Sequence, residues 1–385
     1  MLIDIAHYIA LAVPIIPMVI GIVNNRCLDS LDDYFQTSGE DKPEKLISVL
    51  IPARNEEQKI GLCIKYILSQ DYTNLEILVL DDESIDNTGD IVSSFNDSRV
   101  RLIKGQPLPD GWTGKNWACH QLSQNAHGEF FVFSDADTTL GKRVLTSALI
   151  ALKTKKLDLL TLVPRRVTSN ISERFMFPFI DWAIFCWLPM KLAYRSQNPQ
   201  FSATYGQFML FKRNSYFAIG GHGAVRDANL DDFELGRLIK EKNFKWFLMH
   251  GKSQVVTLPY DDNLSAVRGI SRSIFPALYY RLSLLLVMSF VLIVIGFIPL
   301  FTLVFEIFAS DRSITGIAIS FLSFVSTAIS WGIVCKTFDH NRVLALIFPV
   351  SILFMIVIAH HSLVSNVLGL TDWKGRGLTA KRLRF

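Results

Sequence analysis

Cysteine is scarce in this chain, and no two cysteines lie close together. The 385 residues contain five, at Cys27, Cys63, Cys119, Cys186 and Cys335, with no C-x-x-C pair. That spacing argues against a thiolate zinc site and against a disulfide framework, and it suits a working domain in the reducing cytosol. A basic leader is missing too. The first apolar run, Ile5 to Val23, carries Pro14 and Pro17 and is not followed by a small-x-small cleavage site, so it reads as a retained helix, not a removed signal. Charge of one sign is also in short supply. Lys and Arg total 39 against 35 Asp and Glu, a net charge of +4, too slight to argue for nucleic acid. The basic residues near the apolar ends favour an anionic membrane face, making membrane lipids expected partners.

Apolar residues are abundant. They make up 50% of the chain and give a mean hydropathy of +0.30, yet 19% of residues are charged, which fits a soluble domain carrying membrane segments. The long runs lie at the two ends: Ile5 to Val23, then Leu282 to Phe308, Ile314 to Val334 and Val343 to Leu368. Each approaches or exceeds the roughly 20 residues that cross a hydrocarbon core. The expected organisation is a transmembrane helix over 1–24, a linker over 25–44, an α/β domain over 45–262, an interfacial helix over 263–281, transmembrane helices over 282–370 and a basic tail over 371–385. Phe175 to Tyr194 is long enough to span. A crossing there would separate the acidic residues on either side of it, so with Pro178, Asp181 and Pro189 inside it is expected to lie at the interface. The C-terminal end poses a conflict. Three crossings from a cytosolic domain would leave the tail outside, whereas Lys374, Arg376, Lys381, Arg382 and Arg384 favour the inside, so either one long run forms a bent or re-entrant element or the positive-inside bias is overruled. Leu282 to Phe308, with Pro299 in it, is the candidate for a bent or re-entrant element. His360 and His361, deep in the last run, are expected to bond between helices.

Between the ends, strand-like and helix-like signals alternate, which predicts a mostly parallel sheet covered by helices. Leu46 to Ile51 reads as a strand ending at Pro52-Ala53-Arg54-Asn55-Glu56, and Ile60, Cys63, Ile64, Ile67 and Leu68 follow at helical spacing. Leu75 to Leu80 runs into Asp81-Asp82-Glu83-Ser84, and Phe130 to Phe133 runs through Ser134 into Asp135-Ala136-Asp137. Strands that end in carboxylates deliver hard oxygen ligands to the carboxyl edge of a sheet, where open α/β folds bind ligands. Ser84 and Asp86 also suit capping of the next helix.

In order and spacing these three segments resemble family 2 glycosyltransferases with the GT-A fold, over most of residues 45–260. Leu108 to Ala118, with its Trp112-Thr113-Gly114-Lys115 core, looks like the narrower branch of membrane enzymes associated with hopanoid and carotenoid (diaponeurosporenoate) glycosylation, and Trp373-Lys374-Gly375-Arg376 is similar to the ending of several of them. The resemblance implies a nucleotide-sugar donor site including Pro52, Arg54 and Glu56, with Asp82 or its neighbour Asp81 accepting from a uracil imide. It places Asp135 near the ribose and the metal, and Asp137 as direct ligand of a divalent cation, Mg2+ or Mn2+. Lys115, following Gly111 and Gly114, is expected to meet the diphosphate as a point charge.

Further on, Gly206-Gln207, Gly220-Gly221-His222 and Asp231-Asp232 complete the pattern. By resemblance, Asp232 is the base that deprotonates the acceptor hydroxyl for inversion. Asp231 stands where the family commonly has Glu, and a helix N-terminus attracts both acids for capping. Gly206, Asp231 and His222 are placed on the acceptor side, His222 at the entrance. Arg268 and Arg272 are placed near the leaving diphosphate, or else act as anchors to lipid headgroups. The Gln-x-x-Arg-Trp element of processive synthases is missing from residues 263–275, which favours single transfer. The expectation is a metal-dependent membrane glycosyltransferase moving one sugar from a UDP-sugar to a lipid or terpenoid acceptor. A processive polysaccharide synthase and a non-catalytic nucleotide-sugar-binding subunit are the alternatives.

Overall fold

The computed structural model describes residues 2–35, 45–309, 313–377 and 383–384, with side chains from residue 13 onward. Lys381 and Arg382 of the expected tail, and residues 36–44 of the expected linker, lie outside the described residues. The strands, in chain order, are β1 (Ile47–Ala53), β2 (Leu75–Asp81), β3 (Val100–Lys104), β4 (Phe130–Phe133), β5 (Thr138–Leu140), β6 (Leu159–Val163), β7 (Arg165–Arg166), β8 (Met209–Lys212), β9 (Trp246–His250), β10 (Val255–Thr257), β11 (Asp372–Trp373) and β12 (Arg376–Gly377).

Seven of them form one sheet in the order β3-β2-β1-β4-β8-β6-β9, parallel except for β8. Every residue of β1 and β4 is buried. The two faces of these strands enter separate cores, as the period of two requires. Ile47, Val49, Ile51, Phe130 and Val132 pack on one side, and Leu50, Phe131 and Phe133 on the other. The chain leaves β1 for β2 on one side, and β4 adds on the other, so the carboxyl ends of β1, β2 and β4 flank a switch point. Pro52 sits where β1 outruns β4: the β4 pairing ends at Leu50 and Phe133, while Pro52 is still paired to Leu80 of β2. A residue without an N–H is tolerated there.

The expected interfacial segment is two helices, Ile171–Phe185 and Met190–Arg195. Asn170 and Glu173 cap the first in a reciprocal box, and the fully buried Glu173 also accepts from Tyr260 N at 2.7 Å. The N-terminal run is a helix, Leu2–Cys27. Its buried Asn24 donates to the carbonyls of Phe185 and Leu188 at 2.6 and 2.8 Å and accepts from Met190 N at 3.0 Å, which locks the helix to the turn between these two. Asn263–Ala277 is a further helix at the domain edge.

Among the described residues, three helices are long and apolar enough to cross a membrane: Leu282–Phe308, Ile314–Thr337 and Phe348–Val367. The first is kinked at Phe297, just before Pro299, into Leu282–Gly296 and Ile298–Phe308, as a proline in a helix interior requires. The third has both ends on the α/β domain. Ahead of it, Asp339 pairs with Arg165 at 2.8 Å and His340 with Asp181 at 2.7 Å. Towards its end, Ser362 accepts from Phe275 N at 3.0 Å, and the strand pair β11–β12 beyond it reaches Asp82. Along its length, Met355 and Ile358 pack with Met176 and Ala266. His360 bonds within its own helix, to Ile356 O at 2.9 Å.

Candidate active site

The loops after β1 and β2 are zipped together. Asn55 N donates to Ser84 Oγ at 3.0 Å, Glu56 N to Thr88 Oγ1 at 2.8 Å and Glu57 N to Asp86 Oδ2 at 3.1 Å. Asp86 Oδ1 accepts from Thr88 N at 3.0 Å, so Ser84 and Asp86 hold the turn. Asn55 and Glu83 have φ of 52° and 54°, a left-handed backbone that non-glycine residues rarely adopt and that is common at functional loops. The pair Asp81-Asp82 is divided in role. Asp81 accepts from Ser84 N at 3.0 Å within its own turn. Asp82, fully buried, turns the other way: its Oδ1 meets Arg376 at 3.0 Å, and its Oδ2 has no hydrogen-bond partner among the described residues. Burial raises the Asp82 pKa, with Arg376 and Arg54 opposing.

At the end of β4, Asp135 pairs with Lys115 at 2.9 Å. Thr113 caps the Gly114–Asn125 helix that carries Lys115, and Asn116 fastens this helix to Val225 O and Ala228 O at 2.7 and 2.9 Å, on the loop leading to Asp231. Lys115 Nζ lies 3.9 Å from Asp231 Oδ2. Burial disfavours the ammonium, but Asp135 and Asp231 hold its pKa well above the usual lysine value. Asp137 is raised to about 7 by burial and by the charges of Asp135 and Glu56. Burial also raises Glu56, which Lys374 offsets.

Asp231 and Asp232 open the helix Asp231–Glu241. Asp232 accepts from Gly206 N at 2.9 Å and from Phe233 N at 2.8 Å, and is raised to about 7 by burial and by Asp231. Asp231 goes the other way: against its burial, Lys115 and His222 hold it at about 2. A Cβ on Gly206 would lie 3.2 Å from Lys115 Nζ and 3.5 Å from Asp232 Oδ2, so its lack of a side chain leaves room between base and lysine.

Two cavities meet at these groups. One, of about 170 Å3, is walled by Lys115, Asp135, Gly206, Asp231, Asp232 and Trp373 among others. The other, of about 450 Å3, has Asp135, Asp137 and Asp232 at one end and apolar side chains elsewhere, among them Phe179, Ala183, Ile184, Met288, Leu292 and Met355. It lies between the interfacial helix and the two helices beginning at Leu282 and Phe348. Arg272 borders both cavities.

Four sequence expectations need correction. His360 bonds to Ile356 O of its own helix and not between helices. His222 is fully buried, bonded to the Tyr216 hydroxyl at 2.8 Å and 3.6 Å from Asp231, so it backs Asp231 and does not line an entrance. The Gly220-Gly221 turn, at φ 85° and 52°, carries it into the core. Arg268 is exposed and borders neither cavity: it sits one turn before Arg272 on the Asn263–Ala277 helix, at the solvent-facing end, which leaves the headgroup-anchor alternative and not the diphosphate one. Part of the expected basic tail is the β11–β12 hairpin, folded onto Arg54, Glu56 and Asp82. Sequence reasoning missed Asn116 and this hairpin as parts of the site. Only the hairpin had left a signal, its Trp-Lys-Gly-Arg ending.

Residues 48–219 match the sequence model of the family described as glycosyl transferase family 2. Two relatives, the 4,4'-diaponeurosporenoate glycosyltransferases of Staphylococcus aureus strains MRSA252 and USA300, are 26% and 25% identical over 228 residues. The match covers 58% of this chain and 59% of each relative, so it spans less than two thirds of their length. A solved mannosyltransferase from Pyrobaculum calidifontis, in complex with GDP-mannose and Mn2+, superimposes over 96% of this chain and 100% of its own with a TM-score of 0.53 at 15% identity. That likeness is one of fold, and it agrees with a GT-A-type α/β domain.

Proposed function

Starting from a chain whose residues 48–219 belong to glycosyl transferase family 2, we propose that it transfers a single sugar from a UDP-sugar to a lipid-type acceptor, with inversion. The observation that carries this reading is the junction of the two cavities. A polar pocket among carboxylates and Lys115 opens beside an apolar chamber between helices, with Asp232 on both. A long apolar acceptor suits the chamber, with its hydroxyl at Asp232.

In the reaction the acceptor oxygen attacks the anomeric carbon from the face opposite the diphosphate. The new C–O bond forms as the bond to the diphosphate oxygen breaks, and the hydroxyl proton passes to Asp232. A carboxylate raised to about 7 is suited to take a proton at neutral pH. Lys115 and Arg272 neutralise charge that gathers on the departing diphosphate. Asp231 holds Lys115 in place and does not take the proton.

Asp137 and Asp135 would hold a divalent cation, Mg2+ or Mn2+. The donor set fits. Among the described residues no cluster of three or more His, Cys, Asp or Glu side chains surrounds a metal position, but such ions are commonly held by one or two carboxylates together with substrate phosphates. Asp137 is also crowded by like charge from Asp135 and Glu56, which a cation relieves. When bound, the metal supplies Lewis-acid stabilisation of the diphosphate.

For topology, Leu282–Phe308 and Ile314–Thr337 are read as the crossings after the α/β domain. Phe348–Val367 lies along the membrane face, since both of its ends lie on that domain. The tail then returns to the side of the site, resolving the parity conflict. The test of function uses the full chain in detergent with divalent metal and labelled donors. Asp232→Asn should lose transfer by a factor on the order of 10²–10⁴ while binding donor normally. Transfer at the wild-type rate would overturn the assignment of the base.

A further inference from the structure

The β11–β12 hairpin closes the nucleoside end of the site with residues distant in sequence. Its turn, Lys374-Gly375, has both central residues at positive φ, 50° and 82°, as a tight two-residue hairpin requires. Asp372 accepts from Gly375 N at 2.9 Å. Further along, Arg384 N donates to Tyr280 O and Arg384 O accepts from Leu282 N, each at 2.8 Å, so the tail is also anchored at the foot of the Leu282 helix.

The turn meets three residues already placed at the donor, Arg54, Glu56 and Asp82. Arg54 Nε donates to Lys374 O at 3.0 Å, Lys374 Nζ pairs with Glu56 at 3.0 Å, and Arg376 reaches both Asp82, at 3.0 Å, and Glu83. Trp373 lies against Gly114, 3.0 Å from where a Cβ would stand, and forms a wall of the polar cavity. One Asp82 oxygen is thus pinned by Arg376. The other is buried, without a partner among the described residues, and 3.2 Å from that same Cβ position. An unpartnered buried carboxylate oxygen calls for an N–H donor. Charge points the same way: Glu56, Asp82, Asp135 and Asp137 make this end strongly acidic for an anionic diphosphate donor, and Lys374 and Arg376 add two cations.

Resting on the reading of the domain as a nucleotide-sugar transferase, we propose that the hairpin is a working wall of the donor site. Arg376 is the positioning residue: it fixes the Asp82 carboxylate so that its free oxygen accepts the imide N–H of a uracil base. Trp373 closes the pocket above Gly114. The base preference follows from hydrogen-bond chemistry, because the corresponding ring nitrogen of cytosine carries no hydrogen and meets the carboxylate as one acceptor meets another.

The test is calorimetric titration of the full chain, in detergent with Mn2+, against UDP and CDP. Wild type should bind UDP more tightly than CDP. Arg376→Ala should weaken UDP about tenfold and flatten the preference, and Arg376→Lys should restore part of it. Trp373→Ala should weaken both nucleotides alike. The UDP-to-CDP ratio reads positioning, since a partly unfolded sample loses both in equal measure. A wild type that binds neither nucleotide overturns the reading of the donor as a UDP-sugar. A wild type that prefers UDP, with Arg376→Ala keeping the same preference or binding UDP more tightly, overturns this inference alone; tighter binding would make the hairpin a plug.

Discussion

Replacing Asp181 by alanine would remove the group that ties the α/β domain to the chain beyond the Ile314 helix. Arg166 Nη1 lies 2.5 Å from one Asp181 oxygen and His340 Nε2 lies 2.7 Å from the other, and all three side chains are more than nine-tenths buried. Deleting one partner of a buried pair leaves an uncompensated charge, at a cost of about 3–5 kcal/mol. The double change R166M/D181L removes both charges and leaves apolar side chains near Phe177 and Tyr205, whose rings lie 5.3 Å from the guanidinium. What remains is the ring nitrogen of His340 without its acceptor, on the order of 1–3 kcal/mol. The assay is the thermal midpoint of the full chain in one detergent, since Arg166 also borders the acceptor chamber and activity would mix two effects. At about 2–4 °C per kcal/mol, D181A should lower the midpoint by on the order of 6–20 °C and the double variant by about half as much. Equal losses in the single and double variants would refute the idea that an orphaned charge is the cost.

Transfer should fall as pH drops through about 7, because Asp232 is raised to that value and its protonated form below it cannot accept a proton; a flat profile of kcat/KM between pH 5.5 and 8 would count against it. Ala183→Trp should fill part of the apolar chamber that Ala183 borders, raising the acceptor KM while leaving UDP binding unchanged; an unchanged acceptor KM would show that the acceptor lies elsewhere. Single cysteines at Leu346 and Leu370, which flank the Phe348–Val367 helix, should both react with a membrane-impermeant maleimide from the same side in a cysteine-free background, and labelling from opposite sides would make that helix a crossing.

What could be read from the sequence was set by short-range pattern. The buried run Phe130 to Phe133 ends in two carboxylates, and the order of acids after β1, β2 and β4 is enough to suggest a sheet edge with a site on it. The kink before Pro299 was likewise a local signal. What escaped depends on contacts across hundreds of residues. Nothing near Arg376 announces its partner Asp82, 294 positions away, and a cluster of basic residues after an apolar run looks the same whether it meets lipid or carboxylate. His222 was misplaced because a glycine turn is ordinarily exposed, whereas this one buries its next side chain between Tyr216 and Asp231. Phe348–Val367 has the hydropathy of a crossing, and the ion pairs just ahead of it, which tie its start to the α/β domain, leave no trace in that hydropathy.

In the proposed reaction the adjacent, identical Asp231 and Asp232 do different work. Both begin one helix, where the dipole favours a negative charge, Asp231 buried and Asp232 half-buried. The difference lies in what each side chain meets. Asp231 faces Lys115 and His222 and stays ionised down to about pH 2, which fits it to hold a cation in place and unfits it as a base. Asp232 faces its neighbour's fixed negative charge, and the two backbone N–H groups of Gly206 and Phe233 offset only part of that repulsion. Pairs of acids whose surroundings drive them apart in this way mark a division of catalytic labour. Here the division depends on Lys115 siding with Asp231 and Asp135. A donor diphosphate drawing Lys115 away would therefore weaken the hold on Asp231 and leave more uncompensated negative charge beside Asp232, making Asp232 a stronger base when the donor is in place.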